Sequence, residues 1–291
     1  MTRWTPVVPL ALAVALTGCR ARDTAPPVAT PALTMSAPQV PLGGVVDWTF
    51  RFTVAADAPP FAKDYRVLVH VLDADDELMW TDDHDPPVPT SQWVPGRVVE
   101  YTRTVFFPIY PYLGPASVQM GLYAGETEER LPLDGADGGQ RAYRVATIEV
   151  LPQDESTFLV YRSGWHMPET AEGSPLVEWQ WSRRQATLSM RNMKRDALFY
   201  LHADQPETGL PQAQRVVVTM GGQTIDEFTL EAGQNVVRKV PLTVAQLGTA
   251  DTVEIQMDVD STFVPAVLAP DRSKDVRELG IRVFHALVVP R

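Results

Sequence analysis

The densest group of reactive side chains lies at residues 73–85, DADDELMWTDDHD, where seven carboxylates accompany one histidine. Asp82, Asp83, His84 and Asp85 could present oxygen ligands to Ca²⁺, a hard cation that prefers them. The spacing lacks the glycine and the distal glutamate of an EF-hand loop. The other reading is a hairpin turn at residues 73–76, then a loop opening at Pro86-Pro87. A second constellation is Trp165, Glu169, Trp179, Trp181, Asp275 and Arg277. Three indoles could lie against sugar C–H groups while the two carboxylates and the guanidinium bond hydroxyls, the mixture a carbohydrate site needs. The competing reading places the tryptophans in the core and pairs Arg277 with Glu169 or Asp275, a link that fixes a long loop to a strand. Glu169 with Asp275 would also make a glycosidase-type carboxylate pair, but sequence separation sets no distance between them. The sequence contains no Gly-x-Ser-x-Gly elbow, no His-Glu-x-x-His motif and no glycine-rich phosphate loop. His70 and His285 fall inside expected strands and His202 ends an apolar run, places that suit sheet residues better than ligands. The expectation is a non-enzymatic protein that needs no cofactor.

Strands must position these groups. Val46, Trp48, Phe50, Phe52 and Val54 alternate with Asp47, Thr49, Arg51 and Thr53, the period of a half-buried strand. Further strands are expected at 65–72, 77–81, 98–107, 117–123 and 143–151, with turns at 57–60, 73–76, 95–96 and 113–115. Short strands without helical periodicity predict an immunoglobulin-like sandwich over residues 33–152. After a polar joint at 153–156, strands are expected at 158–161, 185–190, 198–203, 214–220, 224–230, 235–240, 252–258 and 280–289. Gly221-Gly222 is a two-residue hairpin signal, Gln234-Asn235 and Leu247-Gly248 mark other turns, and a short helix is expected near 244–247. That pattern predicts a jelly-roll-like sandwich over 153–291. The expected fold is thus all-β, two antiparallel β-sandwich modules, immunoglobulin-like and then jelly-roll-like.

Ahead of them, Arg3 precedes an apolar run at 7–16, too short to cross ~30 Å of hydrocarbon but suited to a secretory signal. The run ends in Leu16-Thr17-Gly18-Cys19, which holds the chain's single cysteine. This resembles the lipobox of bacterial lipoproteins. The resemblance implies cleavage after residues 1–18, diacylglycerol on the Cys19 thiol and acylation of the new amino terminus. Several acyl chains hold a protein on a bilayer where one would not. Arg20 rather than Asp follows, which by the same resemblance implies sorting to the outer membrane. Residues 19–32 then read as the lipidated cysteine and a Pro-rich extended tether. In the first module, the segment running to Trp93-Val94-Pro95-Gly96, with Gly121-Leu122-Tyr123, resembles β-sandwich modules of uncharacterised bacterial surface proteins and of membrane glycosyltransferase-associated proteins. In the second, four motifs occur in order: Gly164-Trp165 through Glu169, Trp181-Ser182, Phe263-Val264-Pro265, and Asp275-Val276-Arg277-Glu278-Leu279-Gly280. Together they resemble a jelly-roll module of bacterial glycosyltransferases and envelope polysaccharide proteins. His166 and Gln180 stand where Tyr and Arg are commoner in that pattern.

The whole chain bounds these readings. Its 291 residues suggest about two domains. With 25 Lys+Arg against 36 Asp+Glu the net charge is −11, and losing Arg3 with the signal makes it −12. So acidic a chain argues against a nucleic-acid partner. Hydrophobic content of 45% fits a globular protein, and 26 prolines disfavour a helical bundle. One cysteine allows neither an intrachain disulfide nor a thiolate metal cluster. The function expected is a membrane-anchored, non-enzymatic envelope lipoprotein, held to the lipid bilayer through acylated Cys19, that binds glycan or another envelope component. A second reading is a scaffold subunit of an export or polysaccharide-assembly complex, recognised through exposed edge strands. A third is a carbohydrate-active enzyme using Glu169 and Asp275.

Overall fold

The computed structural model describes residues 25–291 apart from Glu126 and Glu128. The signal segment, Cys19 and residues 20–24 of the expected tether lie outside the described residues. Among the described residues no helix is long and apolar enough to cross a membrane.

The amino-terminal module contains β1 (Ala29–Met35), β2 (Gln39–Pro41), β3 (Val45–Val54), β4 (Arg66–Leu72), β5 (Leu78–Thr81), β6 (Val98–Phe106), β7 (Gly114–Tyr123), β8 (Ala136–Asp137) and β9 (Tyr143–Leu151). One sheet runs β1-β3-β6; the facing sheet runs β2-β9-β7-β4-β5, with β8 added to β9. Pairing is antiparallel except between β2 and β9, which is parallel. The alternation in β3 decides which face is core. Trp48, Phe50 and Phe52 are fully buried against Val67, Val69, Val118, Met120 and Leu122 of the facing sheet. Each such aromatic or aliphatic side chain stabilises the sandwich by about 1.5–3 kcal/mol relative to exposure. The intervening Asp47 and Thr49 consequently point outward.

The second module contains β10 (Val160–Tyr161), β11 (Glu169–Ala171), β12 (Ser174–Trp181), β13 (Gln185–Arg191), β14 (Ala197–Asp204), β15 (Gln214–Met220), β16 (Gln223–Leu230), β17 (Asn235–Leu242), α1 (Val244–Leu247), β18 (Thr252–Val259), α2 (Pro265–Leu268) and β19 (Arg282–Pro290). They form sheets β10-β13-β18-β15-β16 and β11-β12-β19-β14-β17, packed around Leu188, Phe199, Leu201, Val216, Val218, Ile255 and Met257. Gly221 (φ 57°) and Gly222 (φ 76°) make the two-residue turn joining β15 to β16. Positive φ at both central residues is what a type I′ hairpin requires. Thr243 and Gln246 close a reciprocal capping box on α1. The fold is therefore all-β, with two largely antiparallel sandwiches.

Two elements differ from expectation. Residues 29–32, read as tether, are the start of β1, where Ala29 and Pro31 are buried and Ala29 pairs with Val54. Proline is tolerated there because β1 is an edge strand, with β3 as its single neighbour. Residues 169–181, where no strand was expected, form the hairpin of β11 and β12.

The modules meet through the outward faces of two sheets. In β14, Phe199, Leu201 and Ala203 point into the core, so Tyr200 and His202 project from the opposite face. A bulge between His202 and Ala203 brings His202 opposite His285 of β19. From the first module, Phe106 stacks on His285 at 4.3 Å with the rings 4° apart. Lys239 of β17 ion-pairs Asp47 of β3 at 2.6 Å, and Asp47 also accepts the Thr104 hydroxyl.

Candidate functional site

The acidic stretch is dispersed by its own partners. Asp73 closes the turn before β5, accepting the backbone N–H groups of Asp75 and Glu77 at 2.9 Å. Asp82 takes a two-pronged contact from Arg103, at 3.2 Å from Nε and 3.0 Å from Nη2. Asp83 accepts the Val69 N–H at 2.8 Å, and Asp85 lies 3.2 Å from Arg66 Nε. His84 is buried, edge-on to Phe50, with Nε2 2.8 Å from the Tyr101 hydroxyl. Burial is the main cause that lowers its pKa, with Arg103 adding to the effect. No group of three or more His, Cys, Asp or Glu among the described residues is arranged to hold a metal ion. The side chains that sequence placed together as a calcium set thus diverge, each drawn to a nearer partner.

The tryptophan set also resolves into packing. Trp165 sits against the second core, edge-on to Tyr161 at 4.7 Å, and its Nε1 donates to the Thr187 carbonyl at 2.9 Å. Trp181 is 7% exposed, enclosed with Leu210, Phe263 and Leu279. Trp179 borders the same cluster, and its ring carries the Arg282 guanidinium at 5.0 Å. That guanidinium is itself held by Asp204, with contacts of 2.8 and 2.5 Å. Trp181 is therefore core, while Trp165 and Trp179 are half-buried, with Tyr161 edge-on to the first and Arg282 over the second.

Arg277 bonds both carboxylates rather than one. Its Nη1 donates to Glu169 at 2.6 Å, and its Nη2 and Nε donate to Asp275 at 2.7 and 3.0 Å. The link ties the loop before β19 to β11. Hydrogen bonding from Arg277 is the largest cause holding the Asp275 carboxyl below its ordinary range. In this arrangement one guanidinium clamps both carboxylates.

A concave region with ligand-like chemistry lies elsewhere, between the modules. Two adjoining cavities of about 550 and 420 Å³ share Pro108, Pro175, Leu176, Glu178, Phe284 and His285. Both volumes fall in the roughly 300–1,000 Å³ range of small-ligand sites. Leu78, Trp80, Asp82 and Phe106 form the wall from the first module, and His202, Phe284 and His285 the floor from the second. The start of β12, from Gly173 to Glu178, makes the rim. Phe284 lies against His202 at 4.9 Å and meets Trp179 edge-on at 6.1 Å. Trp80 is fixed by Trp48 at 6.0 Å and by the edge of Phe107 at 5.1 Å. The floor and wall are thereby held by packed neighbours.

The electrostatics of this cleft are simple. The ring nitrogens of His202 and His285 lie 3.0 Å apart, Nδ1 to Nδ1, and His202 Nε2 is 2.9 Å from Asn235 Oδ1. With Nε2–H donating to that amide oxygen, His202 Nδ1 accepts from His285 Nδ1–H. Burial, then the neighbouring His202, pushes the His285 pKa down to about 3, and burial lowers that of His202. Both rings are neutral at pH 7. Asp82 is matched by Arg103, and neither Lys nor Arg lines either cavity. Sequence reasoning missed this cleft. The available signal was aromatic residues at outward strand positions, Phe106 and Phe284, where alternation calls for polar ones.

No protein-family profile matches the sequence, and no curated protein matches it. Among solved structures, a family GH115 4-O-methyl-α-glucuronidase, BtGH115A, is 13% identical with a TM-score of 0.31, covering 52% of this chain and 20% of that one. The CBM22-1–CBM22-2 tandem domain from Paenibacillus barcinonensis Xyn10C is 11% identical with a TM-score of 0.29, over 87% of this chain and 80% of that one. The CBM36-1 domain of a multidomain xylanase from the hindgut metagenome of Trinervitermes trinervoides is 8% identical with a TM-score of 0.27, over 46% and 97%. The chain thus spans about a fifth of the length of the glucuronidase. At these scores the likeness supplies no residue role for this chain.

Proposed function

We propose that this chain is a non-enzymatic envelope lipoprotein, anchored through acylated Cys19 and sorted to the outer membrane, whose two sandwiches grip a glycan in the cleft between them. The observation that carries the reading is the cleft itself: apolar and aromatic walls, two neutral imidazoles and few polar groups, at a volume suited to a short stretch of saccharide. Aromatic edges and Pro108 and Leu176 would meet sugar C–H groups, while Thr81 and Glu178 are placed for hydroxyls. The anchor rests on the resemblance of Leu16-Thr17-Gly18-Cys19 to a lipobox. The test is retention of the full chain on a panel of immobilised neutral and charged oligosaccharides. Leu176→Asp, a change at an exposed rim position, should weaken retention by tenfold or more. No retention on any glycan would overturn the reading. For the anchor, fatty-acid label should enter the wild type and not Cys19→Ala; label retained in the variant would refute it.

A further inference from the structure

Within the cleft, one formal charge stands without a counter-ion. Glu178 borders both cavities, is exposed, and has no cation within ion-pair distance among the described residues. It pairs in register with Thr170 across the β11–β12 hairpin, and Leu176, two residues earlier on the same strand face, is an exposed apolar rim residue. Every other charge at the cleft is matched or absent. Asp82 is neutralised by Arg103, the nearby Asp47 by Lys239, Asp204 by Arg282, and the two imidazoles are uncharged.

An unpaired carboxylate at the mouth of an apolar-walled cleft, on a chain of net charge −11, repels anionic polymers and attracts cations. We infer that the cleft selects an amine-bearing saccharide, a glucosamine-type oligomer whose ammonium group bonds Glu178 while its ring faces lie along Pro108, Leu176 and Phe284. This inference rests on the glycan reading of the cleft and narrows it to a substrate class. Uronate-containing and sulfated glycans are disfavoured by the same charge.

The test is calorimetric titration of the full chain at pH 6 with a glucosamine hexamer and with its fully N-acetylated counterpart, for the wild type, Glu178→Gln and Leu176→Asp. The amine form should bind at least tenfold more tightly to the wild type. Glu178→Gln, an isosteric change at an exposed position, should remove that preference, so that the amine and N-acetylated forms bind the variant within about twofold of each other. Leu176→Asp should weaken the N-acetylated form. Equal wild-type affinity for the two forms, both weakened by Leu176→Asp, would overturn the amine inference and leave the cleft reading intact. A preference that survives Glu178→Gln would also overturn it, as would tighter binding of a lysine-rich peptide than of the glucosamine hexamer. Failure of every glycan on the panel would instead remove the cleft reading itself.

Discussion

Acid should part the two modules before it melts either one. The histidines at the junction are neutral in the folded chain because burial disfavours their charged forms, His285 being pushed down to about 3. Once the modules separate, these rings meet water and regain an ordinary pKa near 6.5. For a histidine with a depressed folded pKa, stabilisation is fully present above about pH 6.5. It is lost as pH falls through the window from about 6.5 to the folded value, because the separated state takes up the proton first. At pH 5, about 1.5 units into that window and at ~1.36 kcal/mol per unit, the His285 contribution amounts to roughly 2 kcal/mol. Contacts that oppose this include the Phe106 stack on His285, its contacts with His202 and Tyr200 and the Lys239–Asp47 pair. Arg103 and Asp204 act on His202 in opposite directions, and both are ion-paired at neutral pH. Small-angle scattering between pH 7.5 and pH 5 should report a larger radius of gyration while circular dichroism of the sheets stays constant. His285→Phe, which keeps a flat ring under Phe106 and cannot take a proton, should be much less responsive. An identical acid response in wild type and His285→Phe would refute the reasoning, as would melting of both cores without prior separation.

Three other outcomes follow from local geometry. Trp181→Ala should lower unfolding free energy by about 3–5 kcal/mol, since the indole is enclosed by Leu210, Phe263 and Leu279; a urea midpoint near wild type would mean the ring is not core. Gly164→Ala should destabilise by more than about 2 kcal/mol, because Gly164 has φ +79° and a Cβ there would fall 1.9 Å from the Gln185 carbonyl; an unchanged melting temperature would contradict this. Arg277→Met should cost about 1 kcal/mol, discounted because side-chain exposure in the clamp runs from 27% to 37%. It should also raise the Asp275 pKa toward the ordinary value. The stability tied to that carboxylate is present above about pH 3.9 and lost as pH falls through the depressed folded value, so the variant should show a shallower loss in acid. NMR titration of Asp275 checks the shift, and an unmoved pKa would show that Arg277 does not set it.

What could be read from sequence followed what is local. The strict alternation around Trp48, Phe50 and Phe52 gave both a strand and its buried face, and Gly221-Gly222 marked a turn that only positive φ at two positions satisfies. β1 escaped because Ala29, Pro31 and the threonine between them are small and tether-like in composition; the burial of Ala29 and Pro31 depends on β3, a partner they do not encode. The Trp165, Trp179 and Trp181 set was visible as unusual residues, yet whether an indole is platform or core depends on what covers it, here Arg282, Phe263 and Thr187 from distant positions. Arg277 was expected to take one of two carboxylates and takes both, since the loop carrying Asp275 folds back to β11. The cleft was least legible of all. Phe106 and Phe284 belong to different modules, and their meeting is set by the outward faces of two sheets.

The central claim, that the cleft between the modules is the binding site, is tested most directly by amide hydrogen exchange of the full chain with and without the glucosamine hexamer. Binding there should slow exchange in the rim at 173–178 and in β19 around 284–287. Slowing confined to residues 165–169 and 275–279, around the Arg277 clamp, with the cleft unchanged at a saccharide concentration that saturates the chain, would contradict it.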